Sequence, residues 1–343
     1  FDDVHPVPML SYAVRYLGTI AGIMITASHN PKEYNGYKVY GEDGAQMSPE
    51  ATKIVVGFIE KITDYLSVAG DETSSLIVPV PKEVDDTYIE ALKKLTLSKE
   101  AVEKCGKDLK LVYTPVHGSG YVPVTRILKE LGINVTVVEE QTTKDTEFST
   151  VAVPNPEFKE TLSMGIALAN KIRADVVFGT DPDSDRLGVA VKNEKGEFVA
   201  LSGNQVGILL LDYILTRLKE ENALPANAAV VKSFVTTGMA KAICADFGVA
   251  LFETPVGFKF IGEKIKRGRR TARIPMCSAS KNPADICAVR MRGTRTQSLL
   301  LCCAPRWSAT ILISVRRYGE GFRRSTQGMV LCWIRMFLSS TQD

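Results

Sequence analysis

Apolar residues along the first 266 positions fall into short runs that alternate with segments of helical spacing, a rhythm that predicts strands exchanged with helices. Residues 7–17 read as a short helix, 19–27 as a strand, and 50–65 as an amphipathic helix with Ile54, Val55, Phe58 and Ile62 on one face. A second group follows: helix 84–94, strand 109–113, helix 122–131 opened by Gly118-Ser119-Gly120, strand 134–138, helix 159–172 and strand 175–178. The stretches 187–191 and 198–201 read as a hairpin around Asn193-Glu194-Lys195-Gly196. A third group repeats the order, with helix 205–218, strand 229–235, helix 238–247, strand 249–252 and helix 258–266. The expected class is α/β, with helices packed on mixed or parallel sheets. The repetition is architectural, without a residue-level repeat.

Two of the predicted strands end in chemistry. Residues 20–26 break into the polar turn Ser28-His29-Asn30-Pro31-Lys32, with Lys38 a few residues on, which offers a hydroxyl among cations. The run ending at Gly179-Thr180 delivers Asp181-Pro182-Asp183-Ser184-Asp185-Arg186 to the strand's carboxyl end, where open α/β sheets bind ligands. Alternating aspartates in a tight turn point three carboxylates at one centre, and hard oxygen ligands of this kind suit Mg²⁺. Asp, Ser and Pro are also ordinary turn formers, so a solvated acidic turn is the alternative. Arg186 adds a fixed cation with a fork shaped for phosphate. Phosphoryl transfer needs little more than a positioned oxygen, a metal and cations around the moving charge.

Together the two segments resemble the phosphoserine loop and Mg²⁺ loop of the α-D-phosphohexomutases, within which the phosphoglucomutase/phosphomannomutase branch is most similar. Further matching stretches are Tyr113-Thr-Pro-Val-His117-Gly-Ser-Gly, Gly203-Asn-Gln and Glu253-Thr-Pro-Val-Gly257-Phe-Lys259-Phe-Ile-Gly, in order over residues 1–266. The resemblance implies successive mixed-sheet α/β domains stacked around a central cleft. It divides the chain into 1–98 (the later part of a first domain), 99–202 (a second domain with the metal loop), 203–266 (the start of a third) and 267–343, a tail. It implies a phosphoserine at Ser28 and Mg²⁺ held by Ser28, Asp181, Asp183 and Asp185. Lys38 and Arg186 stand where the family places proton transfer and phosphate contacts, and His29 would orient the phosphoserine. Arg186, Gly257, Lys259 and His117 would bind substrate, and Gly118-Ser119-Gly120 could hold phosphate on backbone N–H groups. For Lys38 to act as a base its pKa must be lowered, which nearby cations could do. Val256 stands where many relatives carry a Thr hydroxyl. The implied activity interconverts hexose 1-phosphate and hexose 6-phosphate, of glucose or mannose, through a hexose 1,6-bisphosphate. The alternatives are a non-catalytic metal- or phosphate-binding remnant and a phosphoserine-dependent phosphatase.

Composition changes this picture in one place. Of the 343 residues 45% are hydrophobic and 24% charged, as in a soluble globular protein. Neither a bilayer-spanning run nor a signal sequence is visible, so the cytoplasm is the expected location, with no membrane partner. The oligomeric state is not legible. The net charge of +3 conceals an asymmetry: residues 1–266 hold 28 Lys and Arg against 36 Asp and Glu, while residues 267–343 hold 14 against 3. Thirteen of those 14 are Arg, and both tryptophans and five of the seven cysteines also lie in the tail. A basic tail ordinarily suggests nucleic acid, but no nucleic-acid partner is expected here. A shifted reading frame after about Lys266 accounts for the tail better. Codons rebuilt from the last base of each residue and the first two of the next permit Val-Phe-Gly-Phe-Glu-Glu-Ser from Met276 onward, which contains the family's sugar-recognition loop. Arg323 to Val330 permit Glu-Val-Tyr-Ala-Arg-Tyr-Gly in the same frame. Such a tail would be poorly ordered. The chain, which begins at Phe1, reads as a fragment impaired by the loss of that loop, and Cys105 and Cys244 read as reduced core thiols.

Overall fold

The computed structural model describes residues 1–68, 70, 74–97, 100, 102–103 and 106–270, with the strand segments Met276–Asn282, Asp285–Ala288 and Leu301–Cys302. Three sheets organise them. Helix α1 (Val7–Leu17) ends at Gly18, whose φ of 64° is the left-handed conformation that glycine adopts at little cost. It covers one face of an antiparallel pair, β1 (Ala21–Ile25) and β2 (Tyr37–Gly41), in which Met24 lies opposite Lys38. Val7, Leu10, Val14 and Tyr40 form the small core between them.

Helix α2 (Pro49–Ile59) starts where Ser48 accepts a hydrogen bond from the Ala51 N–H, and it stops six residues short of the expected end. Its expected apolar face is not a core face: the helix buries none of its residues, and Ile54 and Phe58 are 65% and 64% exposed. The reason is architectural, because α1 takes one side of a sheet of only two strands and no described element covers Ile23, Ile25 and Tyr37 on the other.

Helix α3 (Glu83–Lys93) buries Val84, Tyr88, Ile89 and Leu92 between α1 and α4 (Tyr121–Glu130), so packing runs unbroken past the boundary expected near 98–99. That boundary, like Cys105, lies outside the described residues. The second sheet has the order β4-β3-β5-β6-β7: β4 (Asn134–Val137), β3 (Lys110–Thr114) and β5 (Val176–Thr180) are parallel, and β6 (Leu187–Lys192) and β7 (Phe198–Leu201) continue antiparallel. Its central strand β5 is buried along its whole length, as expected for a strand covered on both faces. Helix α5 (Ser163–Ile172) is four residues shorter than its apolar pattern suggested, because residues 158–162 form successive turns and Thr161 bonds back to the Val153 carbonyl.

The third sheet, β12-β11-β10-β8-β9, is built around parallel β8 (Ala229–Ser233) and β9 (Ala250–Thr254), with α6 (Gly203–Glu220), α7 (Met239–Asp246) and α8 (Phe258–Arg270) beside them. A reciprocal Ser202–Gln205 capping box starts α6. Three tail segments join this sheet, β10 (Met276–Asn282) parallel to β8, then β11 (Asp285–Ala288) and β12 (Leu301–Cys302). Residues 267–270 end α8, and the rest of the tail, where poor order was expected, lies outside the described residues. One continuous apolar cluster, including Tyr88, Leu111, Tyr113, Ile127, Phe178, Leu210 and Leu215, unites the second and third units. Burying each such side chain contributes about 2 kcal/mol before entropy is counted.

Candidate active site

The loop after β5 is shaped by close backbone approach. Ser184 takes φ 55° at the tip, its N–H bonds the Asp181 carbonyl at 2.9 Å, and the Arg186 N–H bonds Asp181 Oδ1 at 2.9 Å. Beneath the loop Gly120 is required, because a Cβ there would stand 2.5 Å from both Ser184 Oγ and the Tyr113 hydroxyl. The result gathers Asp181, Asp183 and Asp185, all buried, with one carboxylate oxygen from each within 4.8 Å of the others.

The loop after β1 meets them. Ser28, at φ 55°, holds its Oγ 3.1 Å from Asp181 Oδ2, 3.3 Å from Asp183 Oδ1 and 3.2 Å from His29 Nδ1. Thr26 sets the loop: its hydroxyl accepts the Ser28 N–H at 2.8 Å and donates to Asp183 Oδ2 at 3.1 Å. Lys38, from β2, reaches Asp183 Oδ2 at 2.8 Å and Asp185 Oδ2 at 2.9 Å.

The electrostatics follow from burial and crowding. Burial, then the charges of Asp183 and Asp185, push the Asp181 carboxyl well above the usual carboxylate range, and Arg186 only partly offsets this. Burial alone would lower Lys38, but the Asp185 and Asp183 charges outweigh it and hold the ammonium well above its ordinary pKa. The expected cations that would depress Lys38 are therefore replaced by anions. Three carboxylates and a hydroxyl make an all-oxygen donor set, and the crowding of negative charge fits a divalent cation.

The side chains of the other predicted residues have further partners. Arg186 Nη1 lies 3.6 Å from Glu157 Oε2. His117 has both ring nitrogens engaged by the protein, Nδ1 with the Thr143 carbonyl at 2.9 Å and Nε2 with Thr150 Oγ1 at 2.7 Å. The Gly118 and Ser119 N–H groups, expected to face phosphate, instead bond the Pro115 and Pro182 carbonyls, so this turn supports the aspartate loop. Gly257 and Lys259 lie in the turn and first residues after β9, with Lys259 Nζ 5.2 Å from the Phe260 ring centroid. Sequence reasoning missed Thr26 and Glu157. Thr26 carried a signal, since a threonine two positions before a turn residue commonly caps its N–H; Glu157 carried none.

Comparison with known proteins identifies the family. The phosphoglucomutase/phosphomannomutase α/β/α domain I matches residues 1–66, domain II residues 86–196 and domain III residues 202–275. The chain belongs to the phosphoglucomutase/phosphomannomutase family. It is 41% identical over 272 residues to a phosphoglucomutase of Staphylococcus epidermidis, covering 77% of this chain and 48% of that protein. The chain thus spans about half the length of the curated relatives it matches. Its fold resembles a phosphoglucomutase/phosphomannomutase family protein of Burkholderia thailandensis, with TM-score 0.64 and 20% identity over 95% of this chain and 63% of that one. An Aspergillus fumigatus N-acetylphosphoglucosamine mutase in complex with GlcNAc-6P and magnesium has TM-score 0.51 and 15% identity, covering 91% and 71%. Among the described residues no helix is long and apolar enough to cross a membrane.

Proposed function

We propose that this chain carries the phosphoryl-transfer centre of a hexose-phosphate mutase, which interconverts hexose 1-phosphate and hexose 6-phosphate through phosphoSer28 and a bisphosphate. The observation that supports it is the approach of Ser28 Oγ to Asp181 and Asp183 from 153 and 155 residues away. A phosphoryl group on that oxygen would add negative charge beside three carboxylates, an arrangement that needs positive charge close by. Asp181, Asp183, Asp185 and the Ser28 oxygen would hold Mg²⁺, which when bound supplies Lewis-acid stabilisation of the phosphoryl oxygens.

The chain's own groups have separable tasks. The bond from phosphorus to Ser28 Oγ breaks as the sugar hydroxyl oxygen bonds to phosphorus, and the hydroxyl's proton ends on Ser28 Oγ, so the step balances. His29 Nδ1, 3.2 Å from that oxygen, orients it and can return the proton. Lys38 contributes positive charge as an ammonium; to relay the proton it must first shed Asp183 and Asp185. Arg186 turns its fork to phosphate, and Gly257 and Lys259 serve the sugar. The chemistry matches the sugar phosphate and magnesium of the Aspergillus relative. The proposed setting is the cytoplasm.

The test is transfer from glucose 1,6-bisphosphate to the full chain with Mg²⁺, read by peptide mass spectrometry. Phosphate on Ser28, lost in Ser28→Ala, is the expected result. No phosphoserine at any Mg²⁺ concentration, or a phosphopeptide that survives Ser28→Ala, overturns the assignment.

A further inference from the structure

Outside the proposed catalytic cluster, His117 of the second unit is held by the protein at both ring nitrogens. It follows Val116, and the two take φ 60° and 48°; Phe148, which meets the His117 ring edge-on at 6.3 Å, takes φ 49°. Left-handed backbone at a β-branched and a bulky residue is strained, and persists only where surrounding bonds hold it. Those bonds form one directed chain. The Thr143 carbonyl can only accept, so in the neutral ring His117 Nδ1 carries the hydrogen and Nε2 accepts from the Thr150 hydroxyl. Thr150 in turn accepts from Gln141 Nε2 at 2.9 Å, and Gln141 Oε1 accepts from Thr114 at the end of β3.

This chain joins two loops of the active site. On one side the turn of His117 carries the aspartates: the Ser119 N–H and hydroxyl both donate to the Pro182 carbonyl at 2.8 Å, and a Cβ on Gly118 would stand 2.5 Å from Pro182 Cα. On the other, Thr150 anchors a segment that forms one wall of a cavity of about 510 Å³, with Pro31, Lys32 and Glu33 of the serine loop on the other wall. Glu147 crosses that cavity to pair with Lys32, four positions beyond Ser28. The pair is exposed and weak on its own. Its effect lies in where the anchored segment holds Glu147.

We propose that His117 is a positioning residue for Ser28: through Thr150 it locks residues 143–151, and through Glu147 and Lys32 that segment holds the serine loop over the aspartates. The consequence rests on the reading of Ser28 as the reacting oxygen; the coupling itself does not.

Hydrogen exchange on the full chain tests the coupling without turnover. His117→Ala and the isosteric Thr150→Val should speed amide exchange severalfold in peptides covering 143–151 and 28–34, while β5 keeps its protection. Thr150→Ser, which keeps the hydroxyl, should behave as the parent. Lys32→Ala should loosen 28–34 alone and add nothing on top of Thr150→Val, and the charge swap of Lys32→Glu with Glu147→Lys should restore protection. Unchanged exchange at 28–34 when 143–151 loosens overturns the proposal, leaving His117 a fastener of its own segment. If His117→Ala also frees β5, the decision passes to Thr150→Val and the charge swap. If phosphoSer28 never forms but the coupling is present, the functional reading fails and the positioning role stands.

Discussion

Ser28 Oγ and Asp183 Oδ1 lie 3.3 Å apart although 155 residues separate them, and Thr26 bridges the same carboxylate from the serine's own loop. The Ser28 hydroxyl and the acidic cluster are therefore one site, assembled from the ends of β1 and β5.

Asp183 is the carboxylate shared by Ser28, Thr26 and Lys38. Asp183→Asn removes one charge at constant shape. Divalent-cation affinity, measured by calorimetry, should fall by roughly tenfold or more because affinity follows ligand charge and its supporting bonds. Undiminished Mg²⁺ affinity would remove Asp183 from the proposed ligand set.

Lys38 is the partner that makes two buried carboxylates tolerable. Lys38→Met removes that positive charge from beside both carboxylates, and breaking a buried pair on one side costs about 3 kcal/mol. Urea unfolding should show that loss, and added Mg²⁺ should recover more stability in the variant than in the parent. A variant as stable as the parent without Mg²⁺ would contradict the pairing.

Cys244, on α7, is buried, and burial pushes its thiol up to about 11. The unfolded chain releases this proton first, at a thiol's ordinary pKa of about 8.5. Its contribution to stability is therefore intact below that pH and is lost as the pH rises toward about 11. Cys244→Ala should show a smaller loss of stability over that window than the parent. Iodoacetamide at pH 8 should label the Cys244 peptide slowly until denaturant is added; immediate labelling would contradict its burial.

The match to domain III ends at residue 275, beside the change from a Lys-rich, acidic body to an Arg-rich tail. Sequencing the DNA that encodes residues 262–343 should reveal a missing or extra base near Lys266 that restores Gly-Phe-Glu-Glu-Ser. Codons that forbid that frame would refute the shift.

The placement of Ser28 and of Asp181, Asp183 and Asp185 just after strands was legible because each motif is local: a strand's end, a polar turn and alternating carboxylates occupy a few consecutive residues. Helices α1, α3 and α4 were legible for a similar reason, since apolar periodicity reports the face that will be buried. The same reasoning misread residues 54–62, whose periodicity is real but whose face is left uncovered among the described elements. A periodic face states that an element can be covered, and says nothing about whether a partner is there.

What sequence alone determined, then, is most of the strands and helices of residues 1–266, though not β2, and the polar side chains at their ends. Tertiary structure decided which ends meet. It placed Thr26 between Ser28 and Asp183, set anions where cations were expected around Lys38, gave Arg186 the neighbour Glu157, and turned His117 inward onto Thr143 and Thr150. The physical reason is that charge and hydrogen-bond energies depend on separations of a few ångströms, which chain distances of 145 to 157 residues do not encode.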